Sequence, residues 1–440
     1  MIFLSVLLAF TACLLIYQES LQADKEKKIP LLLQRRLERV SAREKRPVTT
    51  FVIRQMGLDN IFTCDHGNVQ AILATKFKHF ELGAGRRHTL YPMFGVGIFT
   101  SDGETWSRSR ALLPMRAMSV DPVTGWTSTI QAIMFRLTID SVTEFLFGES
   151  AGSQAEALRR GGTLPFNHFS GDFDRGQCRA VVKRVHEYVD RFVHAALTTA
   201  EDRTEKSQSS SYVFLEALAA STKDPIELRS QLLNIPLAGR DTTASLLSWS
   251  LLMLARHPKV FTKLRAVILA DFGSYTSSRD KITFASLKSC RYLQYFLNEV
   301  LRLYPAVPIN RRVATTATTL PNGGGPAGNK PIYLRAGQVV TYSPFVTHRR
   351  TDLWGDDAEV FNPERWVNRK VGWEYLPFNG GPRVCIGQQF ALPEAGYVIV
   401  RLLQRFDAVL NCYPEREIRY GLTLTLAPAD GVLVRLHAAE

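Results

Sequence analysis

The sequence predicts a mainly α-helical chain with a small β region, behind an N-terminal apolar segment that reads as a transmembrane helix. Three observations predict it. Residues 135–147, 178–199 and 286–304 carry apolar side chains at the helical repeat. Alternation suited to strands is confined to short runs at 51–64, 332–342 and 422–436. Residues 1–17 are apolar apart from Ser5 and Thr11.

That first run approaches the roughly 17–20 residues needed to span a bilayer. No Lys or Arg precedes it and no A-x-A site follows, which favours an anchor over residues 1–20 against a cleaved signal peptide. Lys25, Lys27, Lys28, Arg35 and Arg36 come next. Basic residues stay on the cytosolic side, so the body of the protein is expected to face the cytosol. The six cysteines include no C-x-x-C pair, which argues against zinc and disulfide frameworks and suits a reducing compartment.

The remaining elements follow in order. Residues 21–46 form a basic linker whose 31–46 stretch reads as an amphipathic helix; 47–440 read as one domain. Residues 68–76 are helical in pattern, 151–176 read as loop, and 201–211 as a charged, Ser-rich linker. Asp224-Pro225-Ile226-Glu227 is a helix start, with Asp224 as N-cap, Pro225 at the first position and Glu227 at the third. That helix runs to Arg256, where His257-Pro258 ends it. Pro305 stops the 286–304 helix, and residues 321–328 read as loop.

Chemistry concentrates at Phe378-Asn379-Gly380-Gly381-Pro382-Arg383-Val384-Cys385-Ile386-Gly387, which leads straight into a helical pattern. Metal binds the thiolate, whereas free cysteine is mostly thiol at neutral pH. Arg383 and the positive N-terminal end of the next helix both favour deprotonation of Cys385. Gly380, Gly381 and Gly387 lack a Cβ and let the backbone approach a flat ligand, with N–H groups available to the sulfur. An isolated cysteine is more often a small buried hydrophobe. That reading explains neither the arginine nor the glycines.

Within the 225–256 helix, Ala238-Gly239-Arg240-Asp241-Thr242-Thr243 puts a glycine and two threonines mid-helix, a locally unfavourable choice. Such violations mark functional sites; the bland alternative is a tolerated polar patch. Glu299 and Arg302 share a helix face, and Arg365 follows in Phe361-Asn362-Pro363-Glu364-Arg365-Trp366. An exposed pair of this kind is worth only about 0.3–0.5 kcal/mol. Trp106 and Arg110, four apart, are compatible with a surface cation–π pair.

Taken together, these residues carry a resemblance. Phe378, Gly381, Arg383, Cys385 and Gly387 resemble the heme-binding signature of the cytochrome P450 family, heme-thiolate monooxygenases, at all five fixed positions. Trp106-x-x-x-Arg110, Gly239-x-Asp241-Thr242 and Glu299-x-x-Arg302 resemble further family motifs in the family's order, and the likeness covers roughly residue 59 onward. It implies a cytochrome P450-like fold, one heme b ligated by Cys385, and electrons from NADPH through a membrane-bound NADPH-cytochrome P450 reductase. It assigns Trp106, Arg110 and Arg312 to the heme propionates, Asp241 and Thr242 to proton delivery to bound dioxygen, and Glu299, Arg302 and Arg365 to a supporting buried network. The implied activity inserts one oxygen atom from O2 into a C–H bond of a hydrophobic substrate, at an endoplasmic reticulum membrane. Residues 71–75, 145–150 and 238–249 are similar to the fungal alkane- and fatty-acid-hydroxylating subgroup, which implies terminal hydroxylation.

The net charge of +13 is spread along the chain without a nucleic-acid motif. A basic surface facing anionic membrane lipid or an acidic electron donor is the expected use. Against membrane-bound members of the family the chain is short, with deficits near 47, 114 and 178. Pro236 and Pro393 fall inside predicted helices, where proline costs about 3 kcal/mol or kinks the helix. These departures raise an alternative: a heme-binding but catalytically impaired relative with a truncated substrate pocket.

Overall fold

The computed structural model describes residues 29–55, 58–113, 130–159, 175–202, 214–276 and 282–439. The expected anchor over residues 1–20 and most of the 201–211 linker lie outside them. Among the described residues no helix is long and apolar enough to cross a membrane.

Helix α1 (Ile29–Glu44) is the expected basic amphipathic helix. It leads into the antiparallel hairpin β1 (Thr50–Gln55) and β2 (Leu58–Thr63). Helix α2 (His66–Gln70) starts where Asp65 accepts from the Asn68 N–H, then widens into a π-helical turn, Ala71–Thr75. Next come β3 (Phe80–Glu81), α3 (Ala84–Phe94), α4 (Gly103–Ala111), α5 (Ile130–Phe147), α6 (Ser153–Arg159), α7 (Arg175–Asp202) and α8 (Phe214–Ser221). Helix α6 corrects the loop expected over 151–176. Its start is fixed from the neighbouring helix: Asp140 accepts from the N–H groups of Ser153 and Gln154 at 2.7 and 3.0 Å.

Helix α9 (Pro225–Arg256) is the axis of the molecule. It begins as read, with Asp224 accepting from the Ile226 N–H at 2.9 Å. Glu227 does not close a capping box; it accepts from Thr222 at 2.6 Å and Arg108 at 2.9 Å. The helix continues through Pro236. Its N-terminal half packs into a core with α3, α5, α7 and α8, a cluster that reaches Leu237. Its C-terminal half, from Ala244, joins a second core with α10 (Pro258–Phe272), α12 (Arg291–Leu303) and α15 (Gln388–Arg405). The 238–243 segment therefore lies where the two cores meet.

The expected 286–304 helix is two, α11 (Phe284–Ser289) and α12 (Arg291–Leu303), divided by an extended Cys290. Strands β4 (Asn310–Ala314) and β7 (Val339–Tyr342) complete a sheet of order β1-β2-β7-β4-β3, in which only β2 and β7 run parallel. Strand β5 (Thr318–Gly324) pairs with β6 (Lys330–Leu334) and takes in residues expected as loop. Short helices α13 (Pro344–Thr347) and α14 (Thr351–Trp354) precede the cysteine loop. Helix α15 (Gln388–Arg405) follows it and runs unbroken through Pro393. Two antiparallel pairs close the chain, β8 (Phe406–Asn411) with β11 (Val434–Ala438), and β9 (Tyr420–Leu422) with β10 (Leu426–Pro428).

Candidate active site

Protein neighbours hold the 378–387 loop from behind. The Cys385 N–H donates to the Phe378 carbonyl at 2.9 Å, and Asn379 Oδ1 accepts from the Tyr342 hydroxyl at 3.0 Å. Gly381, at φ 66°, backs onto the π-helical turn; a Cβ there would stand 1.9 Å from the Leu73 carbonyl oxygen. On Gly380 a Cβ would stand 2.7 Å from the Trp373 ring. Packing against protein from behind the loop thus demands glycine at both positions. Gly387 is the N-cap of α15.

Cys385 differs from the buried cysteines. Burial pushes the thiols of Cys64 and Cys290 up to about 12. Cys385 is exposed, yet its surroundings desolvate it enough to raise its pKa; the backbone N–H groups of Gly387 and Gln388 and the Arg110 cation pull the other way. Cys385 thus combines an exposed position with backbone N–H groups directed at its sulfur. The small-buried-hydrophobe reading does not fit it.

Arg383 is not the cation beside the sulfur, another correction. Asp102, nearly buried, captures it: Arg383 Nη2 donates to Asp102 Oδ1 at 2.6 Å and to the Ser101 carbonyl at 3.2 Å. Its guanidinium lies 4.4 Å over the ring of Trp106. Arg110 lies 6.0 Å from the same ring, so the cation–π pair exists, but around a buried tryptophan.

Two more cations stand close by. Arg312 is buried on β4, 5.8 Å over the Tyr342 ring. Arg86 of α3 donates to the Phe99 carbonyl at 3.2 Å. Burial, reinforced by repulsion from Arg312, lowers Arg86 and Arg383 to about 10. Asp102 pulls both back up, with Glu81 acting on Arg383 alone. Three desolvated guanidiniums against so little negative charge leave a positive surplus, the complement of a ligand with two carboxylates. Heme b carries two propionates, so the accessible sulfur with its N–H donors and the arginine surplus fit that group. Arg86 carries no motif, and nothing in the sequence points to it.

On α9, most side chains are buried but Ala238, Gly239 and Thr242 stay partly accessible. The Thr242 hydroxyl donates to the Ala238 carbonyl at 2.5 Å, which leaves its oxygen lone pairs open to a donor. Asp241 is buried with Oδ1 3.3 Å from Arg240 Nη1. Burial raises its pKa while Arg240 draws it down.

Glu299, Arg302 and Arg365 come together as expected. Arg302 meets Glu299 at 2.8 and 2.9 Å, and Arg365 Nε reaches Glu299 at 3.4 Å. Two members were not anticipated. Trp366 Nε1 donates to Glu299 at 3.0 Å. His348 bridges Arg302 and the approach to the cysteine loop, with Nδ1 on the Arg302 carbonyl at 3.0 Å and Nε2 accepting from the Leu376 N–H at 2.8 Å.

The cytochrome P450 family model matches residues 116–420. A cytochrome P450 monooxygenase of Fusarium sp is 44% identical over 469 aligned positions, covering 94% of this chain and 81% of that protein. Cytochrome P450 52A13 of Debaryomyces hansenii is 43% identical, covering 88% of this chain and 83% of its own. Cytochrome P450 52A1 of Candida tropicalis is 44% identical, covering 88% and 80%. The chain belongs to the cytochrome P450 family, heme-thiolate monooxygenases that take NADPH-derived electrons through a reductase and act on hydrophobic substrates.

Proposed function

We propose that this protein hydroxylates the terminal carbon of long-chain alkanes or fatty acids, with Cys385 as the iron ligand. The observation that carries the ligand assignment is the exposed position of Cys385, with the Gly387 and Gln388 N–H groups and the Arg110 cation acting on its sulfur. Support for the substrate class is the likeness of residues 71–75, 145–150 and 238–249 to the alkane- and fatty-acid-hydroxylating subgroup.

When bound, the heme supplies dioxygen activation and oxygen insertion into a C–H bond. The chain's own residues do the rest. The Gly387 and Gln388 N–H groups hold the sulfur as thiolate, and Arg110 adds positive charge nearby. Trp106, Arg110, Arg312 and Arg383, joined by Arg86, bind the propionates, while Phe378, Gly381 and Gly387 set the loop. Thr242 accepts a hydrogen bond on its open lone pairs, and the buried Asp241, next to it on the helix and paired with Arg240, is the carboxyl group placed to relay a proton. The two cores that meet at 238–243 put apolar side chains on either side of that segment.

Residues 1–20 anchor the protein in a single pass at the endoplasmic reticulum, with the catalytic domain facing the cytosol, membrane lipid against its basic surface and NADPH-cytochrome P450 reductase as electron donor. The Fusarium alignment spans 469 positions against the 440 residues of this chain, in keeping with internal segments absent near 47, 114 and 178. No described residue favours the impaired relative.

Reduced protein treated with carbon monoxide is expected to show a strongly red-shifted Soret band that Cys385→Ala abolishes. A band that persists in the variant overturns the ligand assignment. With reductase and NADPH, the heme-loaded enzyme is expected to form the terminal alcohol of a long-chain alkane or fatty acid. Loaded enzyme that yields neither overturns the substrate class.

A further inference from the structure

Arg240 and Asp241 are successive residues of α9, yet Nη1 of the first stands 3.3 Å from Oδ1 of the second. Successive side chains on a helix point about 100° apart, and ion pairs normally join residues three or four apart. Both residues are buried, at 3% and 7% exposure. The Arg240 guanidinium also lies 5.4 Å over the ring of Phe135 on α5. Oδ1 of Asp241 has no hydrogen-bond partner among the described residues, so its contact with Arg240 is one of charge and not an aligned hydrogen bond.

Stability does not explain this pair. Burying two charges is costly, and attraction without aligned hydrogen bonds offsets that cost poorly. The consequence falls on Asp241. A buried carboxyl with no cation beside it keeps its proton. Burial acts in that direction here, and Arg240 is the charge that opposes it. Among the described residues no second cation stands within ion-pair distance of Asp241. The next residue is Thr242, whose hydroxyl oxygen keeps its lone pairs open. A group that relays a proton must first lack one.

We propose that Arg240 is a positioning residue that holds Asp241 as a buried carboxylate, so that Asp241 takes up a proton and passes it toward Thr242. The proposal rests on the reading of Asp241 and Thr242 as the proton relay. It is tested on the heme-loaded enzyme with Arg240→Met, Arg240→Lys, Asp241→Asn and the double variant Arg240→Met/Asp241→Asn. Infrared difference spectra of Arg240→Met are expected to gain a protonated-carboxyl band that wild type, Arg240→Lys and the double variant lack. With reductase and NADPH, Arg240→Met is expected to lose about tenfold in kcat at unchanged KM. Arg240→Lys is expected to restore the rate, because a contact of charge needs no guanidinium geometry. In the Asp241→Asn background, Arg240→Met is expected to change the rate no further. That arm leaves no carboxylate stranded, so it reads the coupling even where Arg240→Met alone folds poorly. No carboxyl band in folded Arg240→Met, or an equal loss of rate with and without Asp241, overturns the proposal and leaves the relay standing. Asp241→Asn enzyme with the wild-type rate overturns the relay and the proposal with it.

Discussion

The carboxylate of Glu299 and the guanidinium of Arg302 meet in two hydrogen bonds of 2.8 and 2.9 Å, and neither side chain exposes any surface. The pair is saturated from outside. Glu299 also accepts from the Asn362 N–H at 2.9 Å, from Trp366 and from Arg365. Arg302 donates to the carbonyls of His348, Ala358 and Val360. Removing one partner of such a pair strands a buried charge, which costs more than the pair itself contributes. Glu299→Ala is therefore expected to lower the unfolding free energy in urea by about 3–5 kcal/mol. A loss below about 1 kcal/mol would instead match an exposed pair.

The arginine surplus predicts opposite effects with and without heme. Arg86 is held charged where burial and Arg312 both disfavour the charge. Arg86→Met keeps most of the apolar stem and removes that cation. Heme-free variant is expected to unfold at higher urea than heme-free wild type, by about 1–2 kcal/mol after discounting for its partial exposure. Heme-loaded variant is expected to release heme faster to a scavenging apoprotein. Movement of both quantities in the same direction contradicts a propionate role for Arg86.

His348 and Glu394 impose opposite pH dependences. Burial drives the His348 pKa from the ordinary 6.5 down to about 3, and its two ring nitrogens are matched as the neutral form. The unfolded chain takes up the proton that the fold refuses, so this stability is present above about pH 6.5 and is lost as pH falls toward 3. Glu394 on α15 is buried with Oε1 unmatched, and burial raises it from 4.5 to about 8. Here the fold keeps the proton, so the contribution is present below about 4.5 and is lost as pH rises to 8. Glu394→Gln mimics the protonated acid. Its stability relative to wild type is expected to rise between about pH 5 and 8 by a few kcal/mol. A difference in urea midpoint that stays flat over that range refutes a proton held on Glu394.

What the sequence revealed and what it hid divide by range. The Asp224-Pro225 helix start, the Glu299–Arg302 pair and the loop around Cys385 are local signals, each carried by residues a few positions apart. The partner of Arg383 lies 281 residues away at Asp102, and Trp366 lies 67 from Glu299, so no window of sequence joins them. The same holds for α6, fixed by Asp140, whose carboxylate stands 13 residues before Ser153. Arg383 shows how a local rule fails: nearness in sequence to Cys385 counts for less than a buried carboxylate that needs a cation. The glycines of the loop were legible as a need for close approach, but not as to what approaches.

Gly381 makes that last point measurable. Its φ of 66° disfavours any side chain, and a Cβ would fall 1.9 Å from the Leu73 carbonyl oxygen. That oxygen cannot swing aside, because it belongs to the π-helical turn Ala71–Thr75, closed by the Lys76 N–H on the Ala71 carbonyl at 2.9 Å. Either the turn or the loop must move. Moving the loop strains the bonds that hold it, Tyr342 to Asn379 on one side and Arg383 to Asp102 on the other. Gly381→Ala is thus expected to cost about 2–4 kcal/mol in the folded protein, from overpacking and left-handed strain together. The displaced loop should also lower heme incorporation and shift the carbon monoxide band toward that of unligated sulfur. Shortening the turn's contact by Leu73→Ala should not rescue it, because the clash is with backbone. Full heme incorporation and unchanged stability in Gly381→Ala would show that the loop tolerates a displacement of this size.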